Sequence, residues 1–345
     1  MSSTIALFLL QDGIINGAIY ALLGVSLVLV FAVTRVIFVA QGEFVAWGAL
    51  TLAAFEAGTP PGTAWLLLFM GISAAILEIF RERATLTLAR TARILLADIA
   101  GPATMLLLVL WLAPTRPGLW LGAALTLGLI VPMGPLVYRL AFLPLANTTV
   151  LTLFIASIGV HFALGGIGLV FFGAEGFRTA PFFDATFRVG TLMVKGQSLV
   201  VVAATAVLLV ALYLFFERTM PGKALRATAV NRLGARLVGI PVRSTGQIAF
   251  ALAAAIGALS GMLIGSLTTI YYDSGFLIGL KGFVAAIAAG LASYPLTVAA
   301  ALGVGILEAF SAFFASAFKE VIVFSIIIPL LIWRSLKTTH HEEDE

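Results

Sequence analysis

Apolar segments of about the length needed to cross a bilayer follow one another along almost the whole of this chain. A transmembrane helix needs roughly 20 predominantly apolar residues. Runs that meet or approach that length cover residues 5–33, 38–57, 64–80, 99–113, 119–138, 150–172, 199–216, 248–270, 282–292, 296–318 and 321–333. Gln11, Asp12 and Gly13 interrupt the first, and glycines weaken the run at 282–292. Of the 345 residues, 61% are hydrophobic and 10% charged, whereas a soluble domain carries about 25% charged residues. So little charge cannot cover so much apolar side chain in water, and the medium facing most of the chain is membrane lipid. The expected fold is all-α: a polytopic transmembrane helix bundle of about 10–11 spans, one domain over residues 1–338, with a polar tail at 339–345.

Arginine and lysine set the expected orientation, because they accumulate on the cytoplasmic side of a membrane protein. With Arg35 placed inside, that side collects fourteen basic residues: Arg35, Arg81, Arg83, Arg90, Arg93, Arg139, the six between 217 and 246, Arg334 and Lys337. The other side receives four, Arg116, Arg178, Arg188 and Lys195. The N-terminus is then outside and the C-terminus in the cytosol, provided that 282–292 crosses rather than re-enters. Met1–Thr4 carries no basic residue before the apolar run, so no cleaved signal is expected. In this setting the formal charge of +4 is a topology signal, and no nucleic-acid partner is expected.

Several chemistries are excluded early. The chain has no cysteine and only three histidines, His161, His340 and His341. No disulfide, thiolate site or metal centre is expected, and no cofactor. Phosphate-cradling loops end in Gly-Lys-Ser/Thr, but the one lysine that follows a glycine, Lys223, is followed by Ala224. No catalytic residue is assigned, and energy for any transport has to come from an ion gradient or from a separate protein.

The most informative stretch is the inner segment 217–246, which reads MPGKALRATAVNRLGARLVGIP from Met220. Good helix formers from Gly222 onward predict a first short helix. Asn231 is placed to cap a second, over 232–238, and Gly239 followed by Pro241 closes it. Leu233 and Leu237 share one face at i, i+4. Two short helices with basic and apolar faces read as a docking element for a soluble partner; the alternative is that the charges only fix topology.

This segment resembles the cytoplasmic coupling loop of permease subunits from ATP-binding-cassette (ABC) importers of branched-chain amino acids, the LivH type. The matching positions are Gly222, Arg226-Ala227, Asn231, Ala235 and Gly239-Ile240, with Asn231 where the family often has Asp. Asn16-Gly17, Tyr20-Ala21-Leu22 and Gln41-Gly42-Glu43-Phe44 resemble the family's opening helices, although His often stands where Gln41 does. Gly279-Leu280-Lys281-Gly282-Phe283, Pro295 and Lys319-Glu320 resemble its late segment. Residues 56–126 do not match, and read as an insertion of two spans joined by the arginine-rich 81–93 stretch. The resemblance implies a type II importer-like permease in the cell inner membrane that is not itself an enzyme. Its implied partners are cytoplasmic ABC ATPase subunits, a second permease subunit, identical or homologous, and a periplasmic or extracellular solute-binding protein. The implied solutes are branched-chain amino acids or similar small polar molecules such as other amino acids, urea and amides. An ion-coupled secondary transporter is the alternative.

Ionisable groups within spans are costly and therefore candidates for function. Asn16, Gln41 and Glu43 are the expected translocation-path residues; for Glu43 the competing reading is a helix cap or a pair with Arg35. Gly17 is explained as simply by close helix packing. Glu308 is expected to pair with Lys319, His161 to be a buried hydrogen-bonding residue, and Asp273 and Lys281 to be wet. The phenylalanines of the outer segment 173–198 face either a binding protein or the lipid interface.

Overall fold

The computed structural model describes residues 3–82, 87–190 and 192–338. Arg83 and the tail at 339–345 lie outside them. The chain runs α1 (Ser3–Thr34), α2 (Gln41–Ala57), α3 (Gly62–Glu82), α4 (Leu88–Leu95), α5 (Gly101–Leu112), α6 (Leu119–Val137) and α7 (Val150–Phe172). A hairpin, β1 (Thr186–Val189) and β2 (Leu192–Lys195), leads into α8 (Gly196–Arg218), α9 (Met220–Val230) and α10 (Arg232–Leu237). Then come α11 (Val242–Ile264), α12 (Ser274–Ala288), α13 (Tyr294–Phe314), α14 (Lys319–Ser325) and α15 (Ile327–Thr338).

Among the described residues, eight helical stretches are long and apolar enough to cross a membrane. The chain is thus a helical membrane bundle, with fewer full-length spans than the 10–11 expected. The other three apolar runs form shorter helices: α2 with 17 residues, α12 with 15, and α14 and α15 with 7 and 12. The two-stranded antiparallel hairpin, with Phe187 opposite Val194, is a small departure from all-α.

Gln11, Asp12 and Gly13 do not break α1, which is continuous for 32 residues. A Cβ on Gly13 would lie 2.6 Å from Ile306 Cα, and one on Gly17 2.8 Å from Leu302 Cα, so these glycines let α13 lie against α1. Small residues allow such approach where lipid supplies no hydrophobic drive between helices.

At the centre lies α2, buried from Gln41 through Ala53. It is reached by an unusual path. Arg35 adopts φ 63° and turns the chain back into the bundle, where Phe38 packs 4.7 Å from Phe250 and 5.8 Å from Phe142. Val39 N–H donates to Ser157 Oγ at 2.9 Å, so this stretch of non-helical backbone finds a protein partner, as membrane depth requires. Backbone then meets backbone on two sides of α2. A Cβ on Gly261 of α11 would stand 1.9 Å from the Val45 carbonyl oxygen, and one on Gly275 of α12 would stand 2.1 Å from that of Gly42.

The two ends of the bundle are distinct. At one, Glu78, Asp98, Arg139 and Arg243 form a network, and Arg232 donates to the Ala146 carbonyl at 3.2 Å. At the other, Ala180 N–H donates to Glu56 at 3.1 Å, and Phe177 pairs with Ile270. Helix α12 starts near that bridge, and the turn beyond it reaches Tyr294, whose ring stacks on Phe216 near the end of α8. Short as it is, α12 reverses the chain as a span does, which keeps the charge-based orientation consistent.

Candidate functional site

The basic end carries the helix pair α9–α10. Thr219 Oγ1 accepts from Gly222 N–H at 3.1 Å and opens α9. A Cβ on Gly222 would lie 2.1 Å from the Phe215 carbonyl oxygen, so this glycine sets α9 tightly against the end of α8. Asn231 Oδ1 accepts from Gly234 N–H at 2.8 Å, which is the N-cap geometry expected of it. Gly239 has φ 84°, a left-handed conformation that glycine adopts without strain. Ile240 N–H returns to the Ala235 carbonyl at 2.9 Å. Leu225 and Ala235 are buried and anchor the pair. Leu233, Leu237, Val230 and Val238 are exposed. A groove of about 730 Å³ runs between the two helices, lined by Arg226, Ala227, Asn231 and Ala235 among others. Arg226, at its edge, is ion-paired with Glu217. The fold therefore brings Arg226, Ala227, Asn231 and Ala235 to one groove, while Gly222 and Gly239 shape its ends.

The opposite half of the bundle holds a cavity of about 650 Å³ between α1, α12 and the start of α14. Asn16 lines it, as do Gln11, Lys281, Glu308 and Glu320. Lys281 is buried, not wet. Its Nζ donates to Glu308 Oε1 at 2.5 Å and to Glu320 Oε1 at 3.2 Å. Tyr20 Oη donates to the second Glu308 oxygen at 2.5 Å. Glu308 thus pairs with Lys281 rather than with the expected Lys319, which lies 3.7 Å from Glu320. The two residues are on separate helices 27 positions apart, a pairing that local spacing does not reveal.

Glu43 and Gln41 are elsewhere. Glu43 is fully buried on α2, and His161 Nδ1 stands 2.7 Å from its Oε1. His161 is therefore the hydrogen-bonding residue expected, and Arg35 is not the partner of Glu43. The imidazole stacks on Phe276 at 4.2 Å. Among the described residues, Glu43 Oε2 and both amide atoms of Gln41 have no hydrogen-bond partner. The three expected path residues do not converge: Asn16 faces the cavity, while Gln41 and Glu43 lie on the buried helix α2.

A model of the family described as the permease component of branched-chain amino acid transport systems matches residues 9–331. The chain belongs to that family. Among curated members of this permease family, the high-affinity branched-chain amino acid permease LivH of Escherichia coli is 28% identical over 201 residues, 56% of this chain and 65% of LivH. BraD of Pseudomonas aeruginosa is 28% identical over 57% of this chain and 66% of its own. A probable LivH of Methanocaldococcus jannaschii is 30% identical over 61% of this chain and 67% of that one. The match thus spans slightly under two thirds of the first of these relatives. Among solved structures, PsaBC from Streptococcus pneumoniae in complex with Fab overlaps 93% of the chain at 12% identity, with a TM-score of 0.42, a value too low to establish a shared fold.

Two features of this permease-family chain escape sequence reasoning. One is the Lys281–Glu308–Tyr20 cluster. The other is the network at the basic end, where Arg139 forms a two-pronged pair with Asp98, at 2.5 and 2.7 Å, and also meets Glu78. Arg243 reaches Glu78 at 3.1 Å. In a charge count Arg139 and Arg243 are only topology markers. The available signal is that Glu78 and Asp98 are acidic residues inside or at the edge of apolar helices, where a charge needs a partner. Asp98 sits in a π-helical turn, Leu96–Ala100, and such turns recur at functional sites.

Proposed function

We propose that this chain is the membrane-spanning subunit of an ABC importer. On this reading it carries branched-chain amino acids, or similar small polar solutes, into the cytoplasm through the cell inner membrane while separate ATPase subunits hydrolyse ATP. The observation that carries the reading is the α9–α10 pair. Both helices are N-capped and anchored by buried residues, and α10 is closed by a left-handed glycine, yet they leave Leu233 and Leu237 exposed, Leu237 at 80%. A segment that only set topology would need basic residues and no such order. Exposed apolar side chains rimmed by arginine mark a contact surface, and membership of the permease family makes an ATPase subunit its natural occupant.

In this arrangement residues 217–246 form the coupling loop and residues 56–126 an inserted helical arm on a single permease domain. A second permease subunit completes the path. A solute-binding protein meets the other end, where Phe177, Phe183 and Phe187 are exposed and the β1–β2 hairpin stands out of the bundle. An ion-coupled carrier would instead have to use a membrane-buried titratable pair, for which Glu43–His161 and Lys281–Glu308 are available among the described residues.

The experiment that separates the two is uptake of L-leucine into proteoliposomes holding the complete complex. ATP supplied on the ATPase side drives uptake in the proposed case, with no dependence on an imposed proton or sodium gradient. Gradient-driven uptake by this chain alone, without ATP, would contradict the proposal.

A further inference from the structure

The cavity between α1, α12 and α14 has a chemistry that points to a ligand. Its size, about 650 Å³, falls within the roughly 300–1,000 Å³ of small-molecule sites. One wall is aliphatic, from Ile15, Ile264, Leu277 and Ile278. The other is polar and carries three ammonium groups and three carboxylates, those of Lys195, Lys281, Lys319, Asp12, Glu308 and Glu320, so its formal charges balance.

The unused hydrogen-bonding capacity of that wall is specific. A lysine ammonium offers three donors and a carboxylate about four acceptor positions. Lys281 spends two donors, on Glu308 and Glu320, and its third N–H has no acceptor among the described residues. Glu308 is engaged through both oxygens, by Lys281 and by Tyr20. Glu320 is engaged only through Oε1; its Oε2 has no hydrogen-bond partner among the described residues, and neither has Gln11 Oε1. The Asn16 amide faces the same space. Asp12 and Lys195 lie at the exposed rim of the cavity; deeper in, what remains open is one cationic donor, with the Asn16 amide lining the same space, and one anionic acceptor, with the Gln11 carbonyl oxygen. A polar group left without partners in a low-dielectric site is unfavourable, so a ligand that satisfies both ends at once is favoured over one that satisfies either.

We propose that this cavity is a binding site for the zwitterionic head of an aliphatic α-amino acid. Its α-carboxylate accepts from Lys281 and Asn16, and its α-ammonium donates to Glu320 and Gln11. Its side chain lies against Ile15, Leu277 and Ile278. The balanced charge of the wall suits a zwitterion and disfavours a ligand with net charge, because only the former adds no uncompensated charge to a buried cluster. Binding leaves the Lys281–Glu308 pair in place. This assignment rests on the reading of the chain as an amino acid permease, and adds to it the residues that meet the solute.

The chain has no cysteine, so Thr268→Cys, at a residue that lines the cavity but is not among the proposed ligand contacts, introduces its single thiol. In the complete reconstituted complex, the rate at which a membrane-impermeant thiol reagent labels this cysteine is measured without ligand and with three probes. These are L-leucine, 4-methylpentanoate, which lacks the ammonium, and 3-methylbutylamine, which lacks the carboxylate. L-leucine is expected to slow labelling several-fold, and neither analogue to do so. Adding Glu320→Gln, at a side chain that is one-third exposed and therefore tolerant, is expected to abolish protection while labelling itself persists. Equal protection by an analogue, protection that survives Glu320→Gln, or no protection by L-leucine would overturn the site. If the unmodified complex imports L-leucine while protection is absent, the site alone is wrong. If that complex imports no amino acid, the permease reading falls and the site with it.

Discussion

Asp98 and Arg139 face each other through two parallel hydrogen bonds, 2.5 and 2.7 Å long, at the basic end of the bundle. Their side chains are 8% and 12% exposed. Asp98 lies between α4 and α5 and Glu78 on α3, whereas Arg139 follows α6 and Arg243 opens α11. The network therefore fastens the α3–α5 arm to the rest of the bundle, and through Arg243 to the helix that follows the α9–α10 pair. Removing one partner from a buried ion pair costs about 3–5 kcal/mol, because the other charge stays buried. Asp98→Ala is expected to lower the thermal unfolding midpoint of the detergent-purified protein markedly, and Asp98→Ala with Arg139→Met to recover much of the loss. A midpoint unmoved by Asp98→Ala would show that the network is not structural.

Glycine positions give a second prediction. Gly261 stands where a Cβ would come 1.9 Å from the Val45 carbonyl oxygen, whereas Gly159 has nothing within 4 Å of its Cβ position. Overpacking a tight site costs typically 1–3 kcal/mol or more. Gly261→Ala is expected to reduce the yield of monodisperse protein on size-exclusion chromatography, with Gly159→Ala behaving as wild type. Similar yields for the two variants would contradict the close α2–α11 contact.

Topology supplies a third. Single cysteines at Leu237, on α10, and at Thr186, in the hairpin, should be labelled from opposite faces of the membrane by an impermeant thiol reagent. Leu237→Cys is expected to react only from the cytosolic face. Its labelling from outside would invert the orientation and remove α9–α10 from any ATPase.

The sequence made much of this legible where the signal is local. Asn231 as a cap and Gly239 as a left-handed terminator depend on a few adjacent residues, and both stand as spacing predicts. The apolar runs located the helices for the same reason. Boundaries failed where tertiary contact decides. Gln11 and Asp12 read as an interruption but ride on a helix face lining a cavity. Gly13 beside them is a packing site against Ile306. The buried pairs Lys281–Glu308, Glu43–His161 and Arg139–Asp98 join residues 27, 118 and 41 positions apart, and no periodicity reports such distances. Helix α2 is too short to satisfy a 20-residue criterion because it begins inside the protein, where Phe38 and Ser157 receive the non-helical backbone before it.

The central claim is that α9–α10 transmits ATP hydrolysis in partner subunits to the spans. The most direct measurement is the ratio of L-leucine imported to ATP hydrolysed in proteoliposomes holding the complete complex. Arg226→Glu reverses a charge at the groove edge. Gly239→Val places a β-branched residue at φ 84°, at a cost of roughly 1–2 kcal/mol. Nothing lies within 4 Å of the Cβ that the second change adds, so the effect is confined to the local backbone. With both changes the protein should insert and purify normally, associate less with the ATPase subunits, and show the import-to-hydrolysis ratio collapsing several-fold. An unchanged ratio in that double variant would show that the segment fixes topology and does not couple.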